Sequence, residues 1–127
     1  MARILIIDDD EAVGWTLARM LELEGHSTSR ALSAETGLVV AATERPDAII
    51  LDMRMPLMGG LDFLRLLRQD ARLRGIPVGI VTGDYFLEEP VLAELAELGA
   101  TLRHKPIFID DLTALARLLL DRPPAQA

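Results

Sequence analysis

Two spacings of apolar residues alternate along the chain. Short segments at Arg3–Ile7, Ser27–Ala31, Ala48–Leu51, Val78–Val81 and Ala100–Arg103 have the length and content of β-strands. The first, third and fourth are near-continuous apolar runs, the mark of strands buried on both faces. The second is polar (His26-Ser27-Thr28-Ser29-Arg30) and belongs at a sheet edge. Between and after these segments the spacing turns helical. Val13, Leu17, Met20 and Leu21 form one stripe. A second helix runs from Ser33, a good N-cap, toward Glu44, and a third covers Leu61 to Arg68. Leu87, Val91, Leu92, Leu95 and Leu98 mark a fourth that stops at Gly99. A fifth begins near Asp110 or Asp111 and carries Leu112, Leu115, Leu118 and Leu119. Five βα units in succession predict an α/β fold, a three-layer doubly wound sandwich with a parallel sheet between two layers of helices.

Composition narrows this picture. A chain of 127 residues, half of them hydrophobic, holds one domain with a real core. That domain is expected over residues 1–121, with 122–127 a short tail or linker stub. Thirteen basic and 20 acidic residues give a net charge of −7, which disfavours non-specific binding to nucleic acid or anionic membrane. With no cysteine, disulfides, thiol catalysis and thiolate metal sites are excluded. The first apolar run breaks into Asp8-Asp9-Asp10-Glu11, unlike a secretory leader. No window approaches the roughly 18 apolar residues of a membrane span. The expected setting is cytoplasmic.

The candidate chemistry lies where the strands end. Ligands of open α/β sheets bind beyond the carboxyl ends of the strands. There the sequence places Asp8 and Asp9 after the first strand, Asp52 after the third, Thr82 after the fourth and Lys105 after the fifth. Taken singly, each has an ordinary explanation as a helix cap, a loop residue or a solvated lysine. Together they put three carboxylates, a hydroxyl and an ammonium at one mouth. Clustered carboxylates need a counter-charge, and Mg²⁺ suits a few carboxylates completed by water and phosphate oxygens. A carboxylate is also a nucleophile toward phosphorus. The hydroxyl and ammonium match the oxygens of a phosphoryl group.

These pieces resemble the receiver domain of two-component response regulators. The matching segments are the strand into Asp8-Asp9, the stretch Leu51–Gly60, Val81-Thr82-Gly83 and Lys105-Pro106, and the likeness runs from about residue 3 to 121. The resemblance implies a five-stranded parallel sheet of order 2-1-3-4-5 with five helices. It implies that Asp52 is the phosphoacceptor and that Asp9 is a direct Mg²⁺ ligand. Asp8 would act mainly through water, and the Arg54 carbonyl would be a further ligand. Thr82 would be the switch hydroxyl, Lys105 the cation on the phosphoryl group, and Lys105–Pro106 a cis bond. One position departs from the pattern: Leu102 stands where many members carry an aromatic that moves with the threonine.

The implied activity is signalling rather than turnover catalysis. A histidine kinase or phosphotransfer protein donates to Asp52, and a downstream effector, with no direct nucleic-acid or membrane contact, reads the shift. An aspartyl-nucleophile hydrolase or phosphatase is the rival reading, yet Arg54 stands where the Asp-x-Asp motif needs a second aspartate. A dinucleotide-binding fold would need glycines where Asp8–Glu11 stand. Use as a bare interaction domain would leave an intact acidic site without purpose. Two surface features follow. Trp15 lies opposite the buried stripe of the first helix, as a contact for a kinase or for a second copy in a homodimer. Arg54 and Asp84, of opposite sign, are expected to meet across the mouth, with Gly83 leaving it open.

Overall fold

The computed structural model describes residues 2–121; the expected tail at 122–127 lies outside the described residues. Its strands are β1 (Arg3–Ile7), β2 (Ser27–Ala31), β3 (Ala48–Leu51), β4 (Val78–Thr82) and β5 (Ala100–His104). Its helices are α1 (Glu11–Leu23), α2 (Ala34–Glu44), α3 (Gly60–Gln69), α4 (Glu89–Glu97) and α5 (Ile109–Leu120). The strands form one parallel sheet in the order β2-β1-β3-β4-β5. The polar β2 is an edge strand, as its composition requires.

Alternation along the central strands divides the core in two. Leu5, Ile7, Ile49, Leu51, Val78 and Ile80 face α2, α3 and α4, meeting Ala41, Phe63, Leu67 and Leu95. Ile4, Ile6, Ile50 and Val81 face α1 and α5, meeting Leu17, Leu21, Leu112, Leu115 and Leu119. On this face α5 comes so close that a Cβ on Gly79 would lie 3.0–3.2 Å from Leu115 and Leu119. Each half-core buries one strand face and one helix stripe, so helices on both sides are required to cover the sheet.

Helix termini follow the local chemistry. Asp10 caps α1, its side chain accepting from the N–H groups of Ala12 and Val13. Ser33 caps α2 by accepting from Thr36 N–H. α4 gives way to Gly99 at φ +78°, a backbone conformation glycine adopts without strain. The bounds of α3, β5 and α5 shift by a residue or two from those the spacing predicts, and three further details differ. Leu118 is 43% exposed and not part of the α5 stripe, since Leu112, Leu115, Ala116 and Leu119 already fill the contact with the sheet. Leu87 precedes α4 and packs on the core from the loop. Thr82 is the last residue of β4 rather than the first after it.

Candidate functional site

Four loops leave the carboxyl ends of β1, β3, β4 and β5 and converge on an open cleft of about 590 Å³. Asp8, Asp9, Asp52, Arg54, Thr82 and Lys105 all line it. Every residue singled out from the sequence for this chemistry is therefore brought to one place. Asp10, the third of the acidic run, also lines the cleft while serving as the α1 cap. The run thus splits between two tasks.

Backbone pairing extends past the strands and fixes these positions. Asp8 N–H donates to the Ala31 carbonyl (3.1 Å), Asp52 N–H to that of Ile7 (3.0 Å), and Lys105 N–H to that of Thr82 (2.8 Å). The Asp8 side chain turns back on its own loop, its Oδ1 accepting from Asp10 N–H at 2.9 Å. Asp52 Oδ1 accepts from Met53 N–H at 2.8 Å, which leaves Oδ2 toward the cleft. The start of α3 presses on this turn: a Cβ on Gly60 would stand 2.6 Å from the Asp52 carbonyl oxygen and 3.0 Å from Met53 Cα. Only glycine permits that approach without backbone movement.

Lys105 bridges the two buried carboxylates. Its Nζ lies 2.8 Å from Asp8 Oδ2 and 3.4 Å from Asp52 Oδ2. Burial raises the Asp52 pKa above the ordinary carboxylate value. The neighbouring Asp8 charge pushes the same way, while Lys105, the Met53 N–H and the Thr82 hydroxyl oppose the rise. Burial disfavours the Lys105 ammonium, but the hydrogen bond to Asp8 and the charges of Asp52 and Asp8 outweigh it and raise its pKa. The lysine is held charged between two carboxylates that need it. The Lys105–Pro106 bond is cis.

Carboxylate oxygens of Asp8, Asp9 and Asp52 lie within 4.8 Å of one another. Asp8 and Asp52 are buried whereas Asp9 is exposed. Hard oxygen donors at this spacing, open to water on one side, fit a cation that keeps part of its hydration shell.

At the rim, Arg54 Nε donates to Asp84 Oδ2 at 2.7 Å, with the arginine side chain 78% exposed and the aspartate largely covered. The Phe86 N–H and then the Arg54 guanidinium hold the Asp84 carboxyl below its ordinary pKa. Gly83 leaves open space where a Cβ would stand. Trp15 is exposed on α1. Leu102 is half-buried and packs on the core between the sheet and α4.

One cluster has no periodic or motif signal. The Tyr85 ring stacks on His104, with centroids 4.6 Å apart and planes 13° apart. The Tyr85 hydroxyl donates to the Lys105 carbonyl. Only the register of β4 on β5, which pairs Thr82 with His104, brings these residues together.

The response regulator receiver domain model matches residues 4–117. Response regulator MprA of Mycolicibacterium vanbaalenii is 36% identical over 120 residues, which is 94% of this chain and 51% of that protein. The chain thus spans about half the length of that relative. Protein PilH of Pseudomonas aeruginosa is 42% identical over 82 residues, covering 65% of this chain and 68% of PilH. Among solved structures, the Vibrio cholerae chemotaxis protein CheY4 superposes with a TM-score of 0.86 at 26% identity, covering 94% of this chain and 99% of that one. A CheY-like receiver domain protein from Methanospirillum hungatei gives 0.86 at 28% identity, covering 95% and 94%. With its sheet order, its acidic cleft and a family match over nearly its whole length, this chain belongs to the response regulator receiver domain family.

Proposed function

We propose that this chain is a phosphorylation-dependent signalling module in which Asp52 accepts a phosphoryl group from a histidine kinase or phosphotransfer protein. The observation that carries the reading is Lys105 Nζ set between Asp8 and Asp52 at the carboxyl end of the sheet, with Thr82 beside them. Asp52 Oδ2, the oxygen not held by Met53 N–H, attacks phosphorus; the new acyl P–O bond forms as the P–N bond of the donor's phosphohistidine breaks and its imidazole leaves with the electron pair. The nucleophile must be ionised, and burial works against this. Lys105, the Met53 N–H and the Thr82 hydroxyl keep the charged form accessible. Once the phosphoryl group is in place, its oxygens are better partners for the Lys105 ammonium and the Thr82 hydroxyl than Asp52 alone. Both then shift toward it, and the loops they sit on shift with them.

Asp8, Asp9 and Asp52, with the Arg54 carbonyl, are the residues that would hold Mg²⁺, which supplies neutralising charge for carboxylates and phosphoryl oxygens together. Asp9, the exposed member, would be a direct ligand, and Asp8 would act mainly through water.

Receiver domains are signalling modules rather than turnover enzymes. Residues 1–121 form the working unit, and 122–127 its tail or link to further chain. Among the described residues no helix is long and apolar enough to cross a membrane, which accords with the cytoplasmic setting proposed here. The effector is a protein or a domain.

The test is stoichiometry. With Mg²⁺ and acetyl phosphate the protein takes up one label per chain and hydrolyses no aryl phosphate with turnover. Multiple turnovers of an aryl phosphate that depend on Asp52 would favour the phosphatase reading.

A further inference from the structure

Thr82 ends β4 and Lys105 directly follows the neighbouring β5, and the two are joined by the Lys105 N–H to Thr82 carbonyl bond at 2.8 Å. Beyond this bond the strands part. β4 opens into the loop leading to α4, and β5 runs into Pro106, which has no N–H to continue the ladder. The Lys105 carbonyl would be left without a backbone partner. It accepts instead from the Tyr85 hydroxyl. The Tyr85 ring lies on His104, so one side chain from the β4–α4 loop grips two consecutive residues at the end of β5.

Its own backbone is pinned on both sides. Asp84 N–H donates to Thr82 Oγ1 at 3.2 Å. Phe86 N–H donates to Asp84 Oδ1 at 2.9 Å. A closed circuit results: Thr82 carbonyl to Lys105 N–H, Lys105 carbonyl to Tyr85 hydroxyl, and from Tyr85 back through Asp84 N–H to the Thr82 side chain. The hydroxyl and the ammonium that serve the phosphoryl group are thereby tied by a side chain that itself stays outside the cleft.

We propose that Tyr85 is a positioning residue for the reaction at Asp52, its hydroxyl clasping the Lys105 carbonyl so that the ammonium and the Thr82 hydroxyl keep a fixed separation. The proposal rests on the phosphoacceptor reading above. A ring that merely covers His104 would need no hydroxyl, so Tyr85→Phe, which keeps the ring and loses the oxygen, separates the two roles. Loss of one neutral hydrogen bond's worth of preorganisation corresponds to about a fivefold fall in the maximal labelling rate. Half-saturation by the donor is unchanged, because Tyr85 does not line the cleft.

The experiment measures labelling rate against acetyl phosphate concentration for wild type, Tyr85→Phe and Phe86→Ala, a control at the adjacent exposed aromatic. Melting temperatures and the ¹⁵N signal of the Lys105 ammonium are recorded for each. Support is a lower maximal rate and a moved ammonium signal in Tyr85→Phe at unchanged melting temperature, with Phe86→Ala like wild type. Wild-type rates in Tyr85→Phe, an unmoved ammonium signal, or a loss that only follows a lowered melting temperature would overturn it. If wild type itself takes no label, the phosphoacceptor reading fails, and the ammonium signal alone then decides for or against the clasp.

Discussion

Replacing Lys105 by Met keeps the apolar stem and removes the charge that sits between two buried carboxylates. The ammonium is 2.8 Å from Asp8 and 3.4 Å from Asp52. At an effective dielectric constant near 20 these separations correspond to gross attractions of about 6 and about 5 kcal/mol. Desolvation of the charges cancels most of this, and removing one member of a buried ion pair typically costs about 3–5 kcal/mol. Because the lysine side chain is 23% exposed, the low end applies, about 3 kcal/mol. The sign of the pH dependence follows from Asp52, whose pKa burial already raises and Lys105 holds down. Without the lysine it rises further, and the folded state binds that proton more tightly than the unfolded chain. The variant therefore gains stability as pH falls through the raised folded value toward the unfolded one, and loses it as pH climbs back through the folded value. Urea unfolding of both proteins, at about pH 8 and about pH 5 without divalent cations, should give a deficit that is larger at the higher pH. Added Mg²⁺ should recover part of the deficit at the higher pH by supplying the missing charge. Equal stability of the two proteins, or a deficit independent of pH, would refute this account of the cleft's electrostatics.

The rim pair is expected to slow loss of the phosphoryl group by limiting the approach of water: Arg54→Ala and Asp84→Ala should each shorten the acyl-phosphate lifetime, with the double variant adding little, and additive or absent effects would remove the pair from the account. Gly60→Ala should lower stability by about 1–3 kcal/mol in urea melts, because its Cβ meets backbone atoms of Asp52 and Met53. Gly83→Ala, with open space at the same atom, should be neutral or gain up to about 1 kcal/mol; the reverse ranking would contradict the packing described. Trp15, 55% exposed, should emit at long wavelength and be readily quenched by acrylamide in the isolated protein, and a blue-shifted, protected emission would discard its use as a docking contact.

Much of the architecture is readable from local pattern because its cause is local. The apolar runs of β1, β3 and β4 must be covered on both faces, and the helix stripes supply the cover. Ser33 and Gly99 punctuate helices by backbone chemistry alone. The cleft residues are legible for the same reason, since each stands at a strand end that the apolar pattern locates. Leu118 shows where the pattern fails: the spacing admits it to the stripe, but the sheet offers room for only part of that arc. The Tyr85–His104 stack fails differently. Its partners are 19 residues apart and meet only through the register Thr82↔His104, which no single-strand pattern encodes. The division of the acidic run, with Asp10 capping α1 and Asp8 facing Lys105, likewise emerges only from the loop's path.

The central claim, that Asp52 is the phosphoacceptor, is tested most directly by trapping the acyl phosphate. Wild-type protein is incubated with Mg²⁺ and acetyl phosphate, reduced with borohydride, digested and sequenced by mass spectrometry. Reduction of an aspartyl phosphate leaves homoserine at the residue that carried it. The account predicts homoserine at position 52 and nowhere else, dependent on Mg²⁺ and absent from Asp52→Asn. Homoserine at Asp8 or Asp9 in wild-type protein, or an unmodified Asp52 under conditions where the intact protein carries the label, would contradict it.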